Sequence, residues 1–572
     1  MRYTKIRNML PPLINEIELS GRGKMHLIDS YDKLYYWVHK KFKEQKKNKN
    51  TIEEPVIDLS NLIILFQKET PIHAFWIGSL CGKIDGIINL GDERDVKPNK
   101  DVSVSVKDEI QFEVKYKITF ENSILYNMEF RNIRFLKSVV FRNAQFLGET
   151  NLSGSTFHED VSLTQIDISQ KIQNGAKLPV ITGSILFQNN IFKKNVYFYS
   201  ENWNECYNFH FNGNTYEGEV NFMECSIESE YDSFYDFSNS RFYGNVLFDG
   251  VKKTSIISYI KFDDSHFNKK LKIWRVHIGN ISMQNCHFND TVNISLNIYD
   301  ISSQIDFSFS TINSLFFIDS DLGKEKGETI HLANEICFEK ALITKDAFIF
   351  LRNINNDQNS VNKGVINFKY ANILGTITIQ DSNLEKIYLE KSTLIGNINI
   401  ESVKTDYDYS ESITKIKNEY NKRGDIINAL HYRGSEMSKY RSELWKDVTK
   451  GKLSKITDLI LLTLNTISNN NGRWWLLGCF FTVSAAFIFY SLFSISIGYT
   501  EWSLDYNNWV CLDPNYLKEV LGFLWLPSLS GFNRLEVTIN TNVMSYVWFI
   551  FGKIMVTYGI YQTISAFRKY GK

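Results

Sequence analysis

The chain lacks any Cys-x-x-Cys pair, and its seven cysteines are scattered through 572 residues. Neither a disulfide framework nor a zinc site built on paired thiolates is expected. It also lacks net charge. With 64 basic residues against 64 acidic ones, global electrostatics points to no particular partner. No Ser/His/Asp set, paired carboxylates or metal cluster stands out, so no catalytic residue, metal or cofactor is expected and enzymatic activity is not the reading. Gly21-Arg22-Gly23-Lys24 is followed by Met25 and does not have the spacing of a phosphate loop. The first residues hold no apolar signal-peptide core.

The information lies instead in periodicity. From about Phe120 to Ile400 a bulky apolar residue, usually Phe, returns every five or six positions. The residues fall into triplets such as Phe187, Phe192 and Phe198, then Phe211, Tyr216 and Phe222, then Phe237, Phe242 and Phe248. Later triplets include Phe307, Ile312 and Phe317, then Phe338, Ile343 and Ile349. Neither a helix nor an alternating strand keeps such a period, so the middle of the chain is a solenoid whose units cannot bury their apolar faces alone. Two places before each middle member stands a small or compact residue: Asn190, Asn214, Ser240, Ser265, Cys286, Ser310, Ala341, Ala371 and Ser392. Both positions point inward on an extended segment, and alternating small with large closes a narrow coil without voids.

This pattern resembles the pentapeptide-repeat family, in which a small residue lies two positions before a central Leu or Phe. The resemblance implies a right-handed, four-sided β-helix with the central residues stacked inside. Longer excursions around residues 318–337 and 350–367 are expected to leave the coil. At the ~4.8 Å strand spacing, about eleven coils give a rod of roughly 50 Å. Its ends need caps, for which residues 1–110 and the helical segment after 405 are the candidates. The expected domains are a mixed cap at 1–110, the solenoid at 111–402, a helical hairpin and interfacial helix at 403–472, and a two-span membrane domain at 473–572.

From Trp474 to Thr500 there is no charged residue, and from Val537 to Phe567 only Lys553 is charged. Each run suffices to cross a bilayer. Lys446, Lys450, Lys452, Lys455 and Arg473 precede the first run, and Arg568, Lys569 and Lys572 follow the second. Only Lys518 and Arg534 lie between them, so the positive-inside rule puts both termini and the solenoid in the cytoplasm. Of the cysteines, Cys511 alone would then lie outside. Leu453, Ile456, Ile460, Leu464 and Ile467 recur at helical spacing, which suits a helix on the inner leaflet or one packed on the solenoid's end. Residues 412–446 read as two helices meeting near Gly424, with Asp425 placed to cap the second. Residues 516–532, broken by Pro527, are too short to span and read as a re-entrant loop or as a segment on the outer surface.

The stretches KRGDIINALHYRGSEMSKY (422–440), ISNNNGRWW (467–475) and YGIYQTISAFRKYGK (558–572) make the C-terminal third resemble a bacterial group of membrane-anchored pentapeptide-repeat proteins with an ion-channel-like two-span domain. That resemblance implies a multi-pass protein of the inner (plasma) membrane, with a cytoplasmic solenoid and a span–loop–span module. Two spans cannot enclose an aqueous path, so conduction would require a homo-oligomer, a tetramer by analogy with two-span channels. The pore or intramembrane candidates are Lys553, Trp525, Pro527 and Gln562. An ammonium within a span either faces a pore, snorkels to headgroups, or pairs with Glu536 or Glu519.

On the solenoid, residues 201–236 hold nine acidic residues and no Lys or Arg. Glu217, Glu219, Glu224, Glu228, Glu230, Asp232 and Asp236 form either a solvated face or a docking patch for a basic partner; direct DNA binding is not expected there. His266 and His287 each precede an inward Phe one coil apart and are expected to stack, without the third ligand a metal needs. Lysines from Lys33 to Lys49 interleave with Tyr35, Tyr36, Trp37 and Phe42, which suits a solvated helix or a nucleic-acid or anionic-membrane contact. The leading expectation is an ion-channel-like membrane effector gated by a protein or small-molecule ligand on the solenoid. The runner-up is a non-conducting, membrane-tethered interaction scaffold.

Overall fold

A computed structural model describes residues 15–19, 23–28, 31–47, 56–65, 112–164, 184–199, 208–223, 234–249, 256–297, 304–319, 335–354, 364–405, 410–497, 514–525 and 543–570. The chain divides into two compact units, Met1–Asp406 and Tyr407–Lys572.

The first unit is a parallel β-solenoid. Its narrowest face is a 12-stranded sheet of short strands running from Phe112–Val114 to Thr393–Leu394. Pairing is in register, so identical positions of successive coils lie side by side, as in Phe192↔Tyr216, Tyr216↔Phe242 and Phe242↔Phe267. Burial follows the predicted triplets except at Phe317 and Leu394, which are only partly buried. Their rings form continuous columns, with Phe157–Phe192, Phe192–Tyr216 and Tyr216–Phe242 centroids 4.9, 5.0 and 4.9 Å apart, which is the spacing of neighbouring strands. The small column supplies hydrogen bonds rather than bulk: the Asn190 backbone N–H donates to Asn214 Oδ1 at 2.7 Å, and Ser240 N to Ser265 Oγ at 3.1 Å. In this column Asn190, Asn214, Ser240, Ser265 and Ser310 each accept from a backbone N–H one coil away.

Three features were not in the sequence reading. A fourth buried row stands two residues before each first member: Ile185, Phe209, Tyr235, Ile260, Ile281, Ile305, Ile336, Ile366 and Ile387. Two triplets are also misassigned at their third member. Ile318 and Leu351 are the buried residues aligned with Ile294 and Ile379. Phe317 points outward and stacks on Phe350 at 5.0 Å, while Ile349 occupies the inward row that includes Val292 and Phe316. The step from the narrow sheet to this row is six residues at Ile318, as in the neighbouring coils, but eight from Ile343 to Leu351, where the corner is two residues longer.

The third concerns the corner before each small residue, where the backbone is left-handed. Asn189 (φ 56°), Gly213 (φ 72°), Asn239 (φ 57°), Asp264 (φ 58°) and Asn285 (φ 54°) suit that conformation. The next four coils place Phe309 (φ 62°), Lys340 (φ 58°), Tyr370 (φ 58°) and Lys391 (φ 51°) in the same column. Phe309 and Tyr370 are exposed, and the Lys340 ammonium lies 4.8 Å from the Phe309 ring. Lys391 lies 5.2 Å from Tyr370, so the corner becomes an alternating aromatic–lysine ladder.

Segments 165–183, 200–207, 224–233, 250–255, 298–303, 320–334 and 355–363 lie outside the described residues, and all connect the same two faces of the coil. At the N-terminal end the stack begins before residue 111: Val56–Asp58 and Leu62–Leu65 pair in parallel with Lys117–Glu121 and Ile124–Glu129. A hairpin of Asn15–Leu19 and Gly23–Ile28 extends this edge. Helix α1 (Tyr31–Lys47) buries Trp37, Val38 and Phe42 against it. Because Trp37 and Phe42 are buried, they are not free to stack on bases, and α1 reads as a cap with a solvated lysine face.

The second unit is helical. Helices α2 (Ser410–Lys422) and α3 (Ile426–Thr449) form a hairpin, and Asp425 caps α3 by accepting from Asn428 N at 3.1 Å. Then come α4 (Ile456–Asn469), α5 (Trp475–Ser496), the short α6 (Pro514–Leu524) and α7 (Val543–Tyr570).

Candidate membrane module and its polar joint

Helices α5 and α7 are long and apolar enough to cross a membrane, with mean hydropathies of 2.0 and 1.4. A core hairpin of a soluble domain would be mostly buried; here only 33% and 28% of the spans' most apolar windows are. Leu476, Phe480, Val483, Ile488, Ile550, Ile554 and Ile564 all face outward. Such surfaces suit lipid and are costly in water.

The two spans meet through small residues. A Cβ added at Gly478 would lie 2.6 Å from Thr563 Oγ1, and one at Gly559 would overlap Thr482 Oγ1. Each helix therefore presents a glycine and a threonine four residues apart, and each glycine sits over the other helix's threonine. The threonine hydroxyls return to their own helices: Thr482 donates to Gly478 O at 2.7 Å and Thr563 to Gly559 O at 2.9 Å. Close approach with no unpaired hydroxyl is how packing alone holds helices together in lipid.

Helix α6 closes against both spans. Tyr516, Val520 and Phe523 are buried with Ala486, Tyr490 and Phe493 of α5 and Phe549 and Val556 of α7. Ser491 Oγ and Tyr516 Oη are 2.6 Å apart, and Tyr490 donates to the Glu519 carboxylate. At the C-terminal end of α6 the last carbonyls have no intrahelical partner. Lys553 Nζ takes them, donating to Phe523 O at 2.8 Å and Trp525 O at 3.1 Å, with its ammonium 4.7 Å from the Phe523 ring. Lys553 is ten residues into α7, about 15 Å along its axis. A negative helix end at that depth and an ammonium each remove the other's isolation.

Lys553 is thus held by backbone carbonyls, while Glu519 accepts from Tyr490. Glu536 and Pro527 lie outside the described residues. Trp525 contributes its carbonyl, while its indole is exposed. Gln562 belongs to a different cluster. Its Oε1 accepts from Asn469 Nδ2 at 2.5 Å, and Asn469 Oδ1 accepts from Gly472 N at 2.8 Å. Asn469 is 1% exposed, and Asn470 and Asn471 adopt left-handed φ of 49° and 58°. This asparagine turn joins α4 to α5 and ties both to α7. Beside it, the Arg473 guanidinium donates to His431 O and, at 3.0 Å, to Ser435 Oγ; it lies where a Cβ of Gly434 would be. Burial, and then the Arg473 charge, lowers the His431 pKa. The three C-terminal stretches singled out in the sequence thus converge on one joint.

On the solenoid, residues 120–166 match the family profile described as Pentapeptide repeats (9 copies). Residues 120–166 are pentapeptide repeats. No curated protein and no solved structure matches the chain. Of the acidic candidates on this pentapeptide-repeat solenoid, Glu217 pairs with Lys193, Glu219 accepts from Asn245 Nδ2 at 2.9 Å, and Asp236 accepts from Ser238 N at 3.0 Å. Glu224, Glu228, Glu230 and Asp232 lie outside the described residues. Among the described residues no cluster of three metal-ligating side chains occurs. His266 and His287 stack at 4.6 Å on the narrow sheet.

Proposed function

We propose that the chain is an ion-channel-like membrane effector, in which a cytoplasmic pentapeptide-repeat solenoid biases an oligomeric pore assembled from span–half-helix–span modules. The observation that carries this reading is α6, a short helix packed between two spans with its C-terminal carbonyls held by Lys553 partway along α7. Half-helices ending inside the bilayer are tolerated where protein or a water-lined path surrounds them. A second feature supports it. Tyr546, Lys553, Thr557 and Tyr561 recur at i, i+7, i+11 and i+15, one face of α7 on which Tyr546, Thr557 and Tyr561 are exposed. Such a stripe suits a shared lumen among several copies.

A ligand or partner on the solenoid would then act by binding one conductance state better than the other. The joint formed by Arg473, Asn469 and Gln562 is the physical link available within the helical unit. The balance of Lys and Arg around the spans supports cytoplasmic termini. Purified full-length protein in planar bilayers should give discrete currents, and Thr557→Cys should make them sensitive to a charged thiol reagent. A silent bilayer containing verified oligomers would leave the tethered scaffold as the function.

A further inference from the structure

Helix α4 is inside out for a soluble protein. Its buried residues are Leu459, Ser468 and Asn469, two of them polar. Its outward side carries Ile456, Ile460, Leu461 and Ile467, continued by Leu453 of the preceding turn, and these are 43–70% exposed. A helix that puts its aliphatic stripe outward and its amides inward is matched to an apolar medium on its outer side.

Charge surrounds the start of that stripe. Lys446, Lys450, Lys452 and Lys455 fall within ten residues, and Asp447 accepts from Lys452 Nζ at 2.9 Å and also feels the charges of Lys450 and Lys455. Trp445, at the end of α3, is 62% exposed, as an indole at a headgroup boundary would be. The other end of α4 is continuous with the membrane module: residues 470–474 alone separate it from α5, and Asn469 is hydrogen-bonded to Gln562 of α7. Five residues reach at most about 18 Å, so the stripe cannot lie far from the bilayer that α5 enters.

We propose that α4 is an interfacial helix seated on the leaflet from which α5 starts, with its aliphatic stripe among acyl chains and its lysine cluster on anionic phospholipid headgroups. The occupant is lipid and not a second copy, because four lysines cluster at the start of the apolar stripe, against the single acidic side chain of α4 itself, Asp458, and the helix is tethered to a span. This inference needs α5 and α7 in a bilayer but does not need the protein to conduct.

Two measurements on full-length protein in liposomes test it. A spin label at Ile460→Cys, in a background without other reactive thiols, should be reached by dissolved oxygen and shielded from a water-soluble nickel chelate. Preference for chelate over oxygen, or label–label broadening between copies, overturns the proposal. For the lysines, spin-labelled phosphatidylglycerol should be enriched at the protein over phosphatidylcholine. At about fivefold for each fully effective surface lysine, K450Q/K452Q/K455Q should cut that enrichment at least several-fold, while circular dichroism stays unchanged. Equal enrichment in variant and parent overturns the headgroup assignment.

Discussion

Replacing Lys553 by Met keeps the length and apolarity of the side chain and removes its charge. Two carbonyls, Phe523 O and Trp525 O, then lose donors at 2.8 and 3.1 Å. A charged hydrogen bond is worth about 1.5–3 kcal/mol, and a cation at a helix C-terminus contributes about 0.3–2 kcal/mol. The terms overlap, so about 3 kcal/mol is a fair total. At 1.4 kcal/mol per decade this shifts the docking of α6 by roughly two orders of magnitude. Val520 is 4% exposed on the docked face of α6 and reports that equilibrium. In reconstituted protein, Val520→Cys should react with a water-soluble maleimide about a hundredfold faster when Lys553→Met is also present. Lys553→Arg should stay near the parent rate, because it keeps a donor cation. Equal rates in the Met variant would show that aromatic packing alone holds α6 and that the ammonium has another task.

Three further expectations follow from the packing. Gly559→Leu forces a side chain into Thr482, and overpacking of this kind costs about 1–3 kcal/mol; the midpoint of thermal unfolding in detergent should fall by several degrees, whereas a Leu at exposed Ile564 should leave it unchanged. Phe309→Asn relieves left-handed strain of about 1–2 kcal/mol and gives up a surface cation–π contact of about 0.5–1 kcal/mol. The solenoid should therefore be no less stable in a denaturant titration, and a loss above about 1 kcal/mol would contradict the strain argument. The His266 pKa is lowered by burial, then by His287 and Arg241, so the unfolded chain binds the proton more readily. The stacked pair should contribute fully above the unfolded value near 6.5 and weaken as pH falls through the lower folded value. The slope of stability against pH below 6.5 should be shallower in His287→Asn, and an unaltered slope would exclude the pair.

The solenoid was legible because ring-sized side chains at five- and six-residue steps can fill only a narrow coil. The row of Ile185, Phe209, Tyr235 and Ile260 was not, because a connection of variable length precedes each member and breaks its spacing from the previous triplet. Phe317 and Ile318 could not be told apart by hydrophobicity, since adjacent apolar residues on a strand face opposite ways. In the helical unit, Asp425 advertised its cap by residue type and place. Gly478, Thr482, Gly559 and Thr563 carry a readable small-residue spacing on two helices, but which glycine meets which threonine is a matter of tertiary register. Lys553 was recognised as costly without its partners being identified. Backbone carbonyls have no letter of their own, and Phe523 and Trp525 read only as aromatic residues.

Because the connections of unequal length all bridge the same two faces, growth or shrinkage there leaves the register of the stacked rings untouched. The rod therefore works like a keyboard with a fixed frame: one flank can be rewritten segment by segment while the frame behind it keeps its pitch. An epitope or a small folded reporter spliced between residues 224 and 233 would be carried without altering the neighbouring coils.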